Sequence, residues 1–202
     1  MGTEVSIYLW SDDPEAGRLA LEEVFAEAAR IDRLMSTYKD ESEISKINRE
    51  AASGPVAAGS ELFGLIQRSL DISVLTRGAF DITYDSVGQH YDFRSRKRPD
   101  APTVEQERSN IDYRLVKLDR AAGTISFAKE GVRINLGGIA KGWALDRVVP
   151  LLAREEIEAA LLSFGQSSML AVGAPAGSEG WTIALRAPGG GIQGRITLRD
   201  QA

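Results

Sequence analysis

The strongest chemical signal in the sequence is a glycine-rich stretch, Asn135-Leu136-Gly137-Gly138-Ile139-Ala140-Lys141-Gly142. Apolar β-branched residues precede it and apolar residues at helical spacing follow it, so we expect a strand, a glycine turn and a helix. Glycines let a ligand approach the backbone, and the free N–H groups of a helix N-terminus favour phosphate. Lys141 would add a positive charge that suits a diphosphate. Because the stretch is neither a Walker loop nor a complete GxGxxG, the alternative is a packing turn with Lys141 in solvent.

Two further clusters combine aromatic, small and polar residues. In Gly78-Ala79-Phe80-Asp81-Ile82-Thr83, Asp81 could accept hydrogen bonds from a heterocycle or a ribose; alternatively it caps a turn, with Phe80 in the core. In Met35-Ser36-Thr37-Tyr38, the Tyr38 ring could stack on a planar ligand. The stretch Ser42-Glu43-Ile44-Ser45-Lys46-Ile47-Asn48 follows, and Ser42 could begin a capping motif.

Hydrophobic periodicity predicts the elements that must position these clusters. Alternation over 3–10 indicates a strand, and Asp13-Pro14 then begins a helix whose apolar face includes Val24, Phe25 and Ile31. A second helix is predicted from Ser60 to a stop at Gly78. We expect 36–59 to be irregular and 94–108 to be a solvated connection. Further strands are predicted at 115–118, 124–127, 132–136, 160–164 and 181–187, with a hairpin turn at 119–123.

Composition excludes several classes of function. The 202 residues carry 24 basic and 29 acidic side chains, for a net charge of −5, which disfavours nucleic acid as a partner. The absence of cysteine excludes disulfides, thiolate metal sites and a cysteine nucleophile. The single histidine, His90, argues against a histidine-rich zinc site and a serine-histidine hydrolase, and is expected to be an ordinary loop residue. Neither a membrane-spanning run nor a signal peptide after Met1 is expected.

The glycine-lysine stretch and the other clusters together resemble the signature blocks of the ApbE-type FAD:protein FMN transferases. The resemblance covers 1–188, in order and approximate spacing. It begins with Met1-Gly2-Thr3 and continues through the Met-Ser-Thr-Tyr and Ser-Glu-Ile-Ser stretches to Gly-Ala-Phe-Asp-Ile-Thr. The glycine-lysine block, Leu-Gly-Gly-Ile-Ala-Lys-Gly-Trp-Ala-Leu-Asp, is its most specific part.

The resemblance implies an α+β fold of antiparallel sheets covered by helices, T-fold-like, with a cleft between lobes, and residues 1–202 forming a single flavin-binding domain. It implies Mg²⁺-assisted transfer of FMN from FAD to a threonine of an acceptor flavoprotein, or hydrolysis of FAD to FMN and AMP. It assigns a metal-binding carbonyl to Gly138, or alternatively to Ala140. It also implies a protein of the cell envelope or periplasm, held to the membrane only through a lipid anchor outside this sequence. The implied FAD contacts are Met1, Tyr38, Ala79, Phe80, Asp81, Asn135 and Lys141.

The sequence departs from the family pattern at three places. A His-Ile-x-Asp-Pro block, and the later Asp and Thr residues that complete the metal site, have no counterpart, so we expect an incomplete C-terminus and poor catalysis. Phe164-Gly165-Gln166-Ser167-Ser168 replaces a Gly-Gly-Asp stretch, and Asn135 stands where many relatives carry Asp. A non-catalytic FAD-binding protein and a partner-binding domain that has lost the ligand are therefore the alternatives.

Overall fold

The computed structural model describes residues 4–92 and 95–202, so Met1 lies outside the described residues. The chain divides into two compact units. The first unit comprises Met1–Arg30 and Ala140–Ala202, and the second unit comprises Ile31–Ile139. That 1–202 form a single domain therefore stays a prediction.

Helices and antiparallel strands make up both units, as the sequence predicts for an α+β fold. The described helices are α1 Pro14–Met35, α2 Glu43–Glu50, α3 Ser60–Leu75, α4 Asp85–Gly88, α5 Ala101–Glu107 and α6 Ala140–Arg154. The described strands are β1 Val5–Trp10, β2 Val56–Ala57, β3 Val116–Asp119, β4 Thr124–Phe127, β5 Ala159–Phe164, β6 Ser168–Val172, β7 Trp181–Arg186 and β8 Ile192–Leu198.

The first unit is built on a sheet in which β5 lies between β1 and β6. Both pairings are antiparallel, and the register places Val5 opposite Phe164. Leu162 and Phe164 are fully buried in this sheet, and α6 buries Leu145 and Val148. Strands β7 and β8 form a separate antiparallel pair. The predicted strands at 160–164 and 181–187 are confirmed, whereas β6 and β8 were not predicted.

The second unit contains a sheet in which β4 lies between β2 and β3. The predicted hairpin turn joins β3 to β4, and Asp119 stabilises it by accepting hydrogen bonds from two backbone N–H groups at 2.9 and 3.0 Å. Gly123 ends the turn with φ +64°, a conformation that glycine adopts without strain. Ile125, at the centre of the sheet, is fully buried.

The prediction that 36–59 are irregular is wrong, because α2 and β2 lie there. Ser42 caps α2 by accepting a hydrogen bond from the Ser45 N–H at 3.1 Å. Ile44 and Ile47 are fully buried on one face of this helix. Burial of that face stabilises a short helix which its Ser, Glu and Lys content alone would not predict.

Two other sequence predictions also need correction. The connection at 94–108 contains α5, which Asp100 caps by accepting from the Thr103 N–H at 2.9 Å, and no residue of α5 is buried, as expected of a solvated segment. Phe25 belongs to the predicted apolar face of α1, yet its side chain is exposed. The helix is confirmed, and its buried residues include Val24 and Ile31.

The stretch 132–136 has no regular secondary structure, so the predicted strand is wrong. Side chains take the place of a neighbouring strand: Asn48 accepts from the Ile134 N–H at 2.8 Å and donates to the Ile134 carbonyl at 3.0 Å. The Ser86 hydroxyl accepts from the Arg133 N–H at 3.0 Å. Local side-chain bonds of this kind compete with a sheet ladder.

No helix among the described residues is long and apolar enough to cross a membrane.

Candidate functional site

A cavity of about 300 Å³ lies in the second unit, where the segment after α3 meets the glycine turn. Two separate sequence motifs supply its walls, and Ala79, Phe80, Asp81, Asn135 and Gly138, predicted from those motifs, come together there. Ile82 and Tyr84 also line the cavity, and neither of these was predicted as a site residue.

Asp81 is held by three hydrogen bonds from the protein. One carboxylate oxygen accepts from the Thr83 N–H at 2.8 Å and from the Thr83 hydroxyl at 2.6 Å. The other accepts from the Tyr113 N–H at 2.9 Å. Asp81 therefore does cap a turn, as the alternative interpretation proposed, while it also lines the cavity. Phe80 is half-buried with its ring beside Gly138, so it is not a core residue.

Asn135 connects the glycine turn to the interior of the second unit. Its side-chain oxygen accepts from the Gly137 N–H at 2.8 Å, which fixes the beginning of the turn. Its side-chain nitrogen donates to Asp85 at 3.1 Å and to the Thr37 hydroxyl at 3.3 Å. The Asn135 backbone N–H donates to the Ile82 carbonyl at 2.9 Å. These bonds link the two motifs that line the cavity.

Asp85 is a structural partner of the site that the sequence did not reveal. Its side chain is only 8% exposed, and it forms an ion pair with Arg133 at 3.3 Å. Asp85 also accepts from Asn135, so two side chains satisfy its buried charge. A carboxylate in the first turn of a helix is usually solvated, and for that reason the sequence pattern gives no sign of this role.

We expect Asn135→Asp to make folding stability depend on pH. The new carboxylate oxygen would stand about 3 Å from Asp85, where the amide nitrogen now donates. Like charge raises the pKa of one carboxyl above its unfolded value near 4, so the variant's stability is retained below about pH 4 and falls as the pH rises. Urea unfolding should show a loss of about 1–3 kcal/mol at pH 7.

The double variant Asp85→Asn with Asn135→Asp is the matched control for that measurement. In the double variant the amide at position 85 donates to the carboxylate at position 135, so the additional pH dependence of folding stability should disappear. A stability difference between Asn135→Asp and the unsubstituted protein that is constant from pH 4 to pH 8 would contradict the like-charge argument.

Tyr38 and Lys141 do not line this cavity. The Tyr38 side chain is 82% exposed. Its hydroxyl is nonetheless among the groups that raise the pKa of Tyr84 to about 12, after burial and the charge of Asp85. Lys141 belongs to the first unit, near the start of α6, and its ammonium group donates to the Ser167 hydroxyl. Met1, the remaining predicted FAD contact, lies outside the described residues.

A magnesium site is not complete within the described residues. In 4–92 and 95–202, no cluster of three or more His, Cys, Asp or Glu side chains could hold a metal ion. Asp81 is already held by backbone and hydroxyl donors, and Asp85 by Arg133 and Asn135. Mg²⁺ needs about six oxygen ligands, and the Gly138 carbonyl would supply one of them. The described residues alone therefore do not fit a bound Mg²⁺, and the metal role of Gly138 stays a prediction.

Comparison with known proteins places these features in one family. The sequence profile of the ApbE family matches residues 1–202. Two proteins named FAD:protein FMN transferase are similar in sequence. The protein of Treponema pallidum is 28% identical, over 94% of this chain and 57% of the relative. A protein of Klebsiella pneumoniae is 27% identical, over 100% of this chain and 62% of the relative. The chain belongs to the ApbE family.

Solved structures confirm the fold. The ApbE protein of Thermotoga maritima is 26% identical and superposes with a TM-score of 0.88, covering 99% of this chain and 65% of that one. The flavin transferase ApbE of Vibrio cholerae, at 24% identity and a TM-score of 0.84, shares the fold over 99% of this chain and 66% of that one. The chain thus spans less than two-thirds of the length of the two sequence relatives described above.

Proposed function

We propose that this protein binds FAD at the cavity of the second unit and takes part in transfer of FMN from FAD to an acceptor flavoprotein. The observation that carries the proposal is the meeting of Ala79, Phe80, Asp81, Asn135 and Gly138 in one cavity, in a chain that belongs to the ApbE family. The proposal is supported by the name of relatives from two bacterial species, FAD:protein FMN transferase.

The proposed reaction replaces the phosphoanhydride bond of FAD with a phosphoester bond to the acceptor. The hydroxyl oxygen of an acceptor threonine attacks the phosphorus of the FMN half, and a phosphoester bond forms. The bond from that phosphorus to the bridging oxygen breaks, AMP leaves with that oxygen, and the threonine proton passes to solvent. With water as the nucleophile, the same step yields free FMN and AMP. Positioning of the diphosphate and stabilisation of its charge are what such a reaction requires of the protein.

The chain's own residues would act by binding and orientation. Gly138 contributes backbone without a side chain to the cavity wall, where the diphosphate would lie, and Asn135 holds the beginning of the glycine turn. Phe80 lines the cavity, where an aromatic ligand would gain contact area against its ring. Mg²⁺, which we propose as a further requirement, would offset phosphate charge when bound. The described residues do not complete a site for this metal.

Release of AMP tests this function directly. FAD is incubated with the protein, with and without Mg²⁺ and a candidate acceptor flavoprotein, and AMP is separated by chromatography. Flavin fluorescence, followed in parallel, measures FAD binding. Metal-dependent AMP with a flavin-labelled acceptor indicates transfer, and AMP with free FMN indicates hydrolysis. FAD binding without AMP would leave the binding proposal standing and exclude catalysis under these conditions. Absence of FAD binding would overturn both.

Lys141→Ala should weaken FAD binding by about 1–2 kcal/mol, the loss expected of one charge-assisted contact, because the family resemblance assigns Lys141 to the FAD contacts. Fluorescence titration at low ionic strength measures this change, since salt screens exposed charges. Lys129→Ala is the matched control: Lys129 likewise donates to a serine hydroxyl, that of Ser109, at 2.6 Å, but lies outside the glycine-lysine stretch. Equal affinity of the Lys141 variant and the unsubstituted protein would discard the proposed role of Lys141.

A further inference from the structure

The Tyr84 side chain lines the cavity, although Tyr84 lies outside the sequence blocks that predict the site. The residue is 43% exposed, and its ring packs against Gly88, where an added Cβ would lie 3.1 Å from a ring carbon. Its hydroxyl points toward the glycine turn: a Cβ added at Gly137 would lie 3.7 Å from the Tyr84 hydroxyl oxygen. The ring thus packs against Gly88, while the hydroxyl faces the backbone of the glycine turn, against which we propose that the diphosphate lies.

The Tyr84 hydroxyl is available to a ligand. Within 4–92 and 95–202, no hydrogen bond engages this hydroxyl, although its ring is partly buried. A tyrosine with a half-buried ring ordinarily uses its hydroxyl as a hydrogen-bonding group. Burial, followed by the charge of Asp85 and the nearby Tyr38, raises the pKa of Tyr84 to about 12, so the group keeps its proton at neutral pH. It is therefore a donor and not an anion that would repel phosphate.

We propose that the Tyr84 hydroxyl donates a hydrogen bond to a diphosphate oxygen of FAD lying against Gly137 and Gly138. The proposal rests on the proposed function, because it assumes that FAD occupies this cavity. It makes Tyr84 a binding and positioning residue of the site, supplied by the segment that follows the Gly-Ala-Phe-Asp block. An added Cβ would lie 3.1 Å from the Asn135 side-chain oxygen at Gly137 and 3.1 Å from a Phe80 ring carbon at Gly138, so a ligand at this turn would lie among the side chains of Asn135, Phe80 and Tyr84.

Two other roles for Tyr84 compete with this one. Its ring could serve only to pack against Gly88, in which case loss of the hydroxyl would change nothing. Alternatively, the side chain could contact the isoalloxazine ring, in which case loss of the hydroxyl would weaken the binding of a flavin without phosphate as much as that of FAD. Tyr84→Phe keeps the ring and removes only the hydroxyl, so it separates these roles.

The test compares the unsubstituted protein, Tyr84→Phe and Tyr8→Phe. Tyr8 lies on β1 of the first unit, is exposed, and does not line the cavity, so it controls for loss of a tyrosine hydroxyl. Affinities for FAD and for riboflavin, which has the same ring system without phosphate, are measured by fluorescence. The ³¹P spectrum of bound FAD is recorded for all three proteins. Thermal unfolding verifies that each variant folds.

Tyr84→Phe should bind FAD about tenfold more weakly, the loss expected of a hydrogen bond to a charged acceptor, and should shift the ³¹P resonances of bound FAD. Riboflavin affinity and the Tyr8→Phe results should be unchanged. Equal FAD affinities and identical ³¹P spectra for Tyr84→Phe and the unsubstituted protein would overturn the proposal. So would an equal loss of FAD and riboflavin affinity. If the unsubstituted protein binds no FAD, the proposed function itself fails, which is a distinguishable result.

Discussion

Asp85→Ala should lower the free energy of unfolding by about 3 kcal/mol, a loss typical of removing one partner from a buried ion pair. The Asp85 side chain is 8% exposed and that of Arg133 is 29% exposed, so water cannot fully replace the lost carboxylate. The substitution also deprives the Asn135 side-chain nitrogen of an acceptor at 3.1 Å. Two polar groups would be left incompletely satisfied, and each adds to the cost.

The same variant should weaken FAD binding, although Asp85 does not line the cavity. Asn135 holds the Gly137 N–H, and its orientation depends in part on the bond to Asp85. Urea unfolding measures the stability, and fluorescence titration in the absence of urea measures the affinity. Glu105→Gln is the control, because the Glu105–Arg108 pair is solvent-exposed on both sides and such pairs contribute little. Equal unfolding midpoints for both variants would show that burial does not strengthen the Asp85 pair.

Much of the fold was predictable because its long elements have clear periodicity. The helices α1 and α6 repeat apolar residues at three- and four-residue spacing, and the β3–β4 hairpin carries an Asp and a Gly at its turn. These patterns report burial directly. The short helix α2 was missed because its stability comes from the burial of Ile44 and Ile47, and the residues that bury them are not part of a local pattern.

The stretch 132–136 shows a different limit of sequence reasoning. Its β-branched residues predict a strand, but its backbone bonds to the side chains of Asn48 and Ser86 and not to a neighbouring strand. Both partners are distant in sequence. Strand propensity describes the conformation of one segment and cannot identify what pairs with it.

The candidate site was predictable to the extent that its residues belong to sequence blocks. Ala79, Phe80, Asp81, Asn135 and Gly138 line one cavity because the bond between the Asn135 N–H and the Ile82 carbonyl joins their two segments. Tyr84 and Asp85 come directly after the first block, and no spacing rule marks them. Their roles depend on which way each side chain points, which only the folded chain determines.

Gly138→Ala should weaken FAD binding about tenfold, and Gly138→Val should weaken it about a hundredfold, with little effect on folding. A Cβ at Gly138 would lie 3.1 Å from a ring carbon of Phe80, closer than such contacts normally are. The Phe80 ring lines the cavity, so its displacement or the added methyl groups would occupy ligand space. Tenfold and hundredfold losses of affinity correspond to about 1.4 and about 2.7 kcal/mol of binding free energy.

Gly64→Ala is the matched control for the glycine substitution. Gly64 lies in α3 of the same unit, and an added Cβ there meets no atom within 4 Å. Because alanine is the better helix former by about 0.5–1 kcal/mol, this control should be more stable than the unsubstituted protein, with the same FAD affinity. Fluorescence titration and urea unfolding of the three variants give both quantities. If Gly138→Val bound FAD as tightly as Gly64→Ala, the diphosphate would not lie against this turn, and the site proposed here would have to be abandoned.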